Sequence, residues 1–207
     1  MRKSRSLART VGTREPKKRV LIVTEDSKSS LNYFSDWRSV LRLTAVDIKH
    51  RNPTPLEVVG FAEEVYLHEA KAKRYENVFV VIDKDEHPDY DAAVQTVALL
   101  NKKHSASFCA ITSVPCFEFW GLLHFKYTTA PYSRSGKKSP ADCLISELCK
   151  LIQFTYDKGI SNLYSKLLPL VDTAVVNAQR SEIAAKSANT DNPSTKIHEL
   201  ISFLRSL

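Results

Sequence analysis

Two short apolar runs, each ending in carboxylates, constrain this chain more than any other feature. Val20-Leu21-Ile22-Val23-Thr24 stops at Glu25-Asp26, and Val78-Phe79-Val80-Val81-Ile82 stops at Asp83-Lys84-Asp85. Neither run alternates apolar with polar, so both read as strands buried on two faces, the pattern of parallel strands in an α/β sheet. Ligands of open α/β sheets sit beyond the carboxyl ends of such strands. Acids gathered there repel one another unless a proton or cation intervenes, which makes Mg²⁺ or Mn²⁺ the natural complement.

The other periodicities fill in an alternating order. Helical spacing over 27–43 (Leu31, Phe34, Trp37, Val40, Leu41) precedes a short strand over 44–49. Pro53 and Pro55 then break the chain before a helix over 56–74. The acidic strand 78–83 leads to a helix over 90–104, a strand over 107–112, and an apolar helix opened by Pro115 and running to His124. This β-α-β-α-β-α-β-α order predicts a parallel-rich sheet flanked by helices. Residues 126–140 form a basic loop with interleaved tyrosines, and from Ala141 onward the pattern is helical, broken near Gly159 and at Asn192-Pro193. The expected organisation is a flexible basic arm over 1–18, an α/β domain over 19–125, and a loop with a helical C-terminal extension over 126–207 packed on that domain. A chain of 207 residues suffices for one sizeable core.

Composition narrows the partners. No apolar stretch approaches the roughly 20 residues of a membrane span, and no secretory signal is read ahead of the first strand. Cys109, Cys116, Cys143 and Cys149 form no C-x-x-C pair, so neither a zinc site nor a disulfide framework is indicated. They read as small buried hydrophobes in a reducing, cytoplasmic setting. The net charge of +7 belongs to the arm: residues 1–19 hold eight Lys/Arg against Glu15, leaving 22 basic and 22 acidic residues elsewhere. Such an arm, with Arg14, Lys17 and Lys18 among its cations, either grips phosphate backbones without reading sequence or is a solvated tail.

Several residues carry candidate chemistry. In extended geometry Asp83 and Asp85 face one side of the strand, with Cα atoms roughly 6.6 Å apart, close enough to share one hydrated Mg²⁺. Lys84 would point elsewhere and partly neutralise them; the alternative is a solvated turn continuing through Asp89. Glu25 is read as a further ligand or as general base for an attacking water, or else it caps the next helix together with Asp26. Glu118 sits in a helix apolar almost all round, where a carboxylate needs a cation, a metal or several donors. First-turn placement behind Pro115, at the helix's positive end, also accounts for it. His124 reads as a core histidine and His87 as a turn residue. Asn192-Pro193-Ser194-Thr195 reads as an N-cap and first turn of the terminal helix. Arg134, Lys137 and Lys138, among the loop's tyrosines, suit a single-strand binding surface or an ordinary exposed loop.

The segments, in this order, resemble the RloB-like family of prokaryotic defence-associated proteins with a Toprim-like domain. The resemblance covers nearly the whole chain. It rests on the strand ending in Glu25 with Lys28 and Asn32-Tyr33-Phe34 downstream, Ile82-Asp83-Lys84-Asp85-Glu86, the run from Ser113 to Phe125 around Glu118, Tyr156-Asp157-Lys158, Asn177-Ala178-Gln179-Arg180, and Asn192-Pro193-Ser194-Thr195. It implies a Toprim-like sheet in which Glu25, Asp83 and Asp85 hold Mg²⁺, Glu118 is the family's own acidic position and Asn192 belongs to its terminal motif. Two departures stand out. The family reads E-G-x-x-T-E after the first strand, whereas Asp26 replaces the glycine here and Ser30 the second glutamate. Its Ser-Asn-Pro is Ser113-Val114-Pro115, which removes the polar side chain expected to cap the next helix.

The expected function is accordingly a Mg²⁺-dependent nuclease in antiphage, abortive-infection defence, with the basic arm and loop holding the nucleic acid. RNA, including tRNA, is favoured over DNA by analogy with Toprim effectors that disable translation. A homodimer or a partner protein of a defence system is left open. One alternative is a catalytically silent nucleic-acid-binding or sensor subunit. Another is a receiver-like phosphoacceptor, whose acids after the first and third strands and Ser/Thr after the fourth match Glu25-Asp26, Asp83 and Thr112-Ser113. That reading leaves Asp85 unexplained, and no fifth strand ending in Lys is read.

Overall fold

A computed structural model describes residues 18–152, 154, 156 and 158–207. Strand β1 (Val20–Thr24) is buried along its whole length, and β3 (Asn77–Asp83) is buried from Val78 to Ile82. The helices explain why: α1 (Ser29–Val40) follows β1, α2 (Pro55–His68) follows β2 (Val46–His50), and α3 (Tyr90–Lys103) joins β3 to β4 (Ser107–Val114). The sheet order is β2-β1-β3-β4 with all four strands parallel, closed at one edge by a two-residue antiparallel β5 (Ser194–Thr195). The chain steps from β1 outward to β2 and then crosses back to lay β3 on the other flank of β1. The topological switch therefore falls between β1 and β3.

Right-handed crossovers in the two directions put helices on opposite faces. Val20 and Ile22 of β1 pack with Tyr33, Phe34 and Trp37 of α1. Leu21 and Val23, one residue out of phase, pack with Val58 and Tyr66 of α2 and Val97 and Leu100 of α3. The C-terminal elements all join the α1 face: α4 (Glu118–Leu123), α5 (Pro140–Leu151), α6 (Leu163–Leu167), α7 (Val171–Ser187) and α8 (Ile197–Arg205). Trp120, Leu144, Tyr164, Ala174 and Leu200 share one hydrophobic cluster with β1, and the rings of Trp37 and Tyr164 stack at 4.8 Å. Among the described residues no helix is long and apolar enough to cross a membrane, and the four cysteines are free.

Several expectations need correction. Pro115 does not open a helix; α4 begins at Glu118, and Val114 is the last residue of β4, paired with Ser194. Val114 therefore has no cap to lose. A fifth strand does exist and Lys196 follows it, its amide donating to the Thr112 carbonyl at 2.9 Å, but β5 is antiparallel and two residues long. The parallel fifth strand of a receiver is therefore not met. Asn192 is no helix cap either, since α8 starts five residues later. Its side chain clasps the backbone of Tyr132, accepting from the amide at 3.0 Å and donating to the carbonyl at 2.7 Å.

Candidate functional site

Parallel pairing sets the site. Thr24 lies opposite Val81, so β3 runs two residues past β1, and the Glu25 amide continues the ladder to the Val81 carbonyl at 3.0 Å. Glu25 then turns its carboxylate onto the end of β3, where Oε2 accepts the Asp83 amide at 3.0 Å. The two acids thus meet at the switch between β1 and β3. The helix-capping role falls to Asp26 alone, whose Oδ1 and Oδ2 accept the amides of Lys28 and Ser30 at 2.6 and 3.0 Å.

Asp85 belongs to a turn. Extended geometry ends at Asp83, which pairs with Ser113, and Asp85 has φ of 35°, in the left-handed region. The same-face argument for Asp83 and Asp85 therefore does not apply. Asp85 is fixed instead by its amide, which donates to the Pro115 carbonyl at 2.8 Å. Lys84 leaves the acids altogether and pairs with Asp191 at 2.6 Å. Lys28 is exposed at the head of α1.

Glu118 is 2 % exposed, and the donors its burial demands are present. Its Oε1 accepts from the Ser29 hydroxyl at 2.8 Å and the Tyr156 hydroxyl at 3.0 Å, with the Lys158 ammonium at 3.6 Å. Ser29, Tyr156 and Lys158 escaped sequence reasoning as site residues; Tyr156 and Lys158 were visible only as part of a family motif. His87 was also underrated: its Nε2 lies 3.2 Å from Glu25 Oε1.

The electrostatics tie these groups together. Burial holds the Asp83 carboxyl well above the usual range, and Glu118, Asp26 and Glu25 add to the effect. Burial also raises Glu25, against the Asp83 amide and His87. Asp85 is raised by the protein packed around its carboxyl, a rise that Lys158 opposes and Glu118 reinforces. Burial alone would lower Lys158, but Glu118, Cys116 and the two aspartates outweigh it, so the ammonium is held. Cys116 is pushed up by burial and then by Glu118, which makes it an inert thiol. His124 is a core histidine as expected, 1 % exposed and lowered by burial to about 4.

The proposed nucleic-acid ligands are scattered. Arg14 and Lys17 lie outside the described residues, and Lys18 is exposed at the amino end of β1, the opposite end from Glu25. Arg19 is not part of a free arm: it pairs with Asp47 and Glu69, both at 2.9 Å, beneath the Tyr75 ring. Arg134 forms a two-bonded pair with Glu86, next to Asp85. Lys137 sits at the tip of a tight turn closed by Ser135 and Lys138. The loop's tyrosines are committed internally: Tyr132 is buried against Phe119 and donates to Glu147 at 2.7 Å, and Tyr127 is covered by Arg180 at 3.9 Å.

Fold and site together define an α/β protein with a carboxylate cluster at the switch point of a parallel-rich sheet. The chain matches the family model described as RloB-like protein over residues 20–204, and it belongs to that family. No curated protein and no solved structure matches it.

Proposed function

We propose that this RloB-like protein is a Mg²⁺-dependent nuclease acting in antiviral defence, with Glu25, Asp83 and Asp85 as the metal-binding set. The observation that carries the reading is the meeting of Glu25 and Asp83 at the sheet's switch point, where the Glu25 carboxylate accepts the Asp83 amide and where burial, then the charges of Glu118, Asp26 and Glu25, raise the Asp83 carboxyl. The donor set fits Mg²⁺. It is all oxygen, and Mg²⁺ keeps several waters while binding one or two carboxylates, so it does not need a tight ring of ligands. That matters because, among the described residues, the acids here do not form a group of three with ligand atoms within 4.8 Å of one another.

When bound, the metal supplies Lewis-acid polarisation of a phosphodiester and neutralises charge that develops on cleavage. The chain's own groups divide the remaining work. Where it does not ligate the metal, Glu25, held by the Asp83 amide and facing His87, would act as general base for the attacking water. Lys158, kept cationic beside Glu118, offers a positive charge to a phosphate oxygen or a leaving group. Glu118 positions Ser29, Tyr156 and Lys158 around it. RNA, tRNA included, is the preferred substrate, and Arg134, Lys137, Lys138 and the arm would hold the backbone.

A second reading, a catalytically silent nucleic-acid-binding or sensor subunit, draws on Ser30. Position 30 of α1 carries a hydroxyl, engaged by Asp26, in place of a carboxylate. Cleavage assays on tRNA, single-stranded RNA, and single- and double-stranded DNA, with Mg²⁺ or Mn²⁺, separate the two. Activity on one substrate that disappears in both Glu25→Ala and Asp83→Ala supports the nuclease. Undiminished cleavage by the variants, or none by the wild type, rejects it for the isolated chain and favours the binding role.

A further inference from the structure

Away from the acidic site, α7 and α8 bring Glu182, His198 and Glu199 together, with one ligand atom of each within 4.8 Å of the others. His198 is 6 % exposed. Its Nδ1 lies 3.1 Å from the Thr195 carbonyl oxygen. A carbonyl only accepts, so Nδ1 donates there, and Nε2 is the ring nitrogen that faces Glu182 Oε2. Metal-binding histidines are oriented in this way, with the second ring nitrogen donating to a backbone carbonyl.

The contact between His198 and Glu182 is informative in its length. His198 Nε2 and Glu182 Oε2 stand 3.4 Å apart, the longest of three histidine–carboxylate contacts in the described residues, after His87–Glu25 at 3.2 Å and His104–Glu63 at 2.8 Å. Two ligands on one tetrahedral zinc, each about 2.1 Å from the ion, are separated by about 3.4 Å. The other oxygen of Glu182 is held by Lys186 at 2.7 Å, which leaves Oε2 as a single directed donor. Glu199 is exposed and gives the cluster an opening to solvent.

We infer that Glu182, His198 and Glu199 form a site for a zinc-class transition-metal ion that clamps α7 to α8 at the edge of the sheet. One imidazole and two carboxylates suit Zn²⁺ better than Mg²⁺, which prefers an all-oxygen shell. The clamp bears on the fold because Thr195, which orients His198, also pairs with Ser113 at the end of β4. Leu200, Ile201 and Leu204 of α8 are buried in the core behind it.

The test uses the full chain carrying Glu25→Ala and Asp83→Ala, so that the acidic site does not contribute. After chelation and dialysis it is titrated with Zn²⁺ by calorimetry and with Co²⁺ by visible absorption. One equivalent is expected, with a Co²⁺ ligand-field band, and saturating Zn²⁺ should raise the melting temperature. Glu199→Gln, a surface change that spares the fold, and His198→Gln should each weaken binding at least about tenfold, the loss that even an outer partner causes. Lys186→Met should tighten binding by about twofold, because it removes an i,i+4 competitor for Glu182. A simple His198–Glu182 ion pair predicts none of this. Absence of a bound equivalent, or binding indifferent to the His198 and Glu199 changes, overturns the site.

Discussion

Ser30 delivers both its amide, at 3.0 Å, and its hydroxyl to a single oxygen of Asp26. These are two of the three positions at which the chain departs from the E-G-x-x-T-E pattern, Ser29 in place of its threonine being the third, and these two departures interlock. Asp26, displaced from the usual cap position, performs the capping of α1 that Lys28 has no side chain to perform. Asp26→Ala should therefore cost about 1 kcal/mol, on the scale of a lost N-cap. Ser30→Ala should cost less, and the double variant no more than Asp26→Ala alone. Urea denaturation of the four proteins measures the cycle, and additive costs would show that the two residues act independently.

The sheet and the first pair of acids were legible because their causes are local. A strand buried on both faces has to be apolar at every position, and the end of that run marks where Glu25 and Asp83 leave the sheet. What was missed depends on distant chain. The turn at Asp85 is fixed by the Pro115 carbonyl, which accepts the Asp85 amide from distant chain, and the sequence around residue 85 does not encode that partner. Ser29 and Tyr156 reach Glu118 across 89 and 38 residues. Strand β5, at two residues, is too short to show any period. Pro115 carries the signature of a helix start but lies in the connection from β4 to α4.

His124 makes the core sensitive to acid. Its Nδ1 donates to the Trp120 carbonyl at 2.9 Å, and its buried Nε2 has no partner among the described residues, so a second proton has nowhere favourable to sit. Burial lowers the folded-state value to about 4, against about 6.5 in an unfolded chain. The unfolded state then binds the proton more readily. Stability from this group is complete above pH 6.5 and declines as pH falls toward 4, by about 3 kcal/mol in all. Chemical denaturation from pH 7 to 4 should show that decline in the wild type and a shallower one in His124→Phe. Parallel curves would assign the acid sensitivity to other groups.

Asn192 is a strut between the basic loop and the segment entering β5. Replacing it with Ala strands the amide and carbonyl of the buried Tyr132, at a cost of about 1–3 kcal/mol. For a chain of this size that corresponds to a loss of roughly 2–12 °C in melting temperature. Asn192→Asp keeps an acceptor for the Tyr132 amide but loses the donor to its carbonyl, so it should fall between wild type and Asn192→Ala. If both variants melt with the wild type, the clasp has no energetic role.

If the loop holds a nucleic-acid backbone as proposed, Arg134 and Glu86 separate that binding from folding. Both side chains are 56 % exposed, so the pair adds at most about 1 kcal/mol to stability, and deleting either partner should leave the melting temperature nearly unchanged. Binding should respond in opposite directions. Arg134→Ala removes one phosphate contact beside Asp85, which weakens binding and lowers the slope of log K against log salt by about 1. Glu86→Ala frees the guanidinium and removes an anion from the approach to the site, so affinity should rise, most of all at low salt. Fluorescence anisotropy with a labelled single-stranded RNA, over a range of salt concentrations, measures both. A weakening in each variant, with melting unchanged, would mean that the intact pair contacts the strand; no change in either would place the strand elsewhere on the surface.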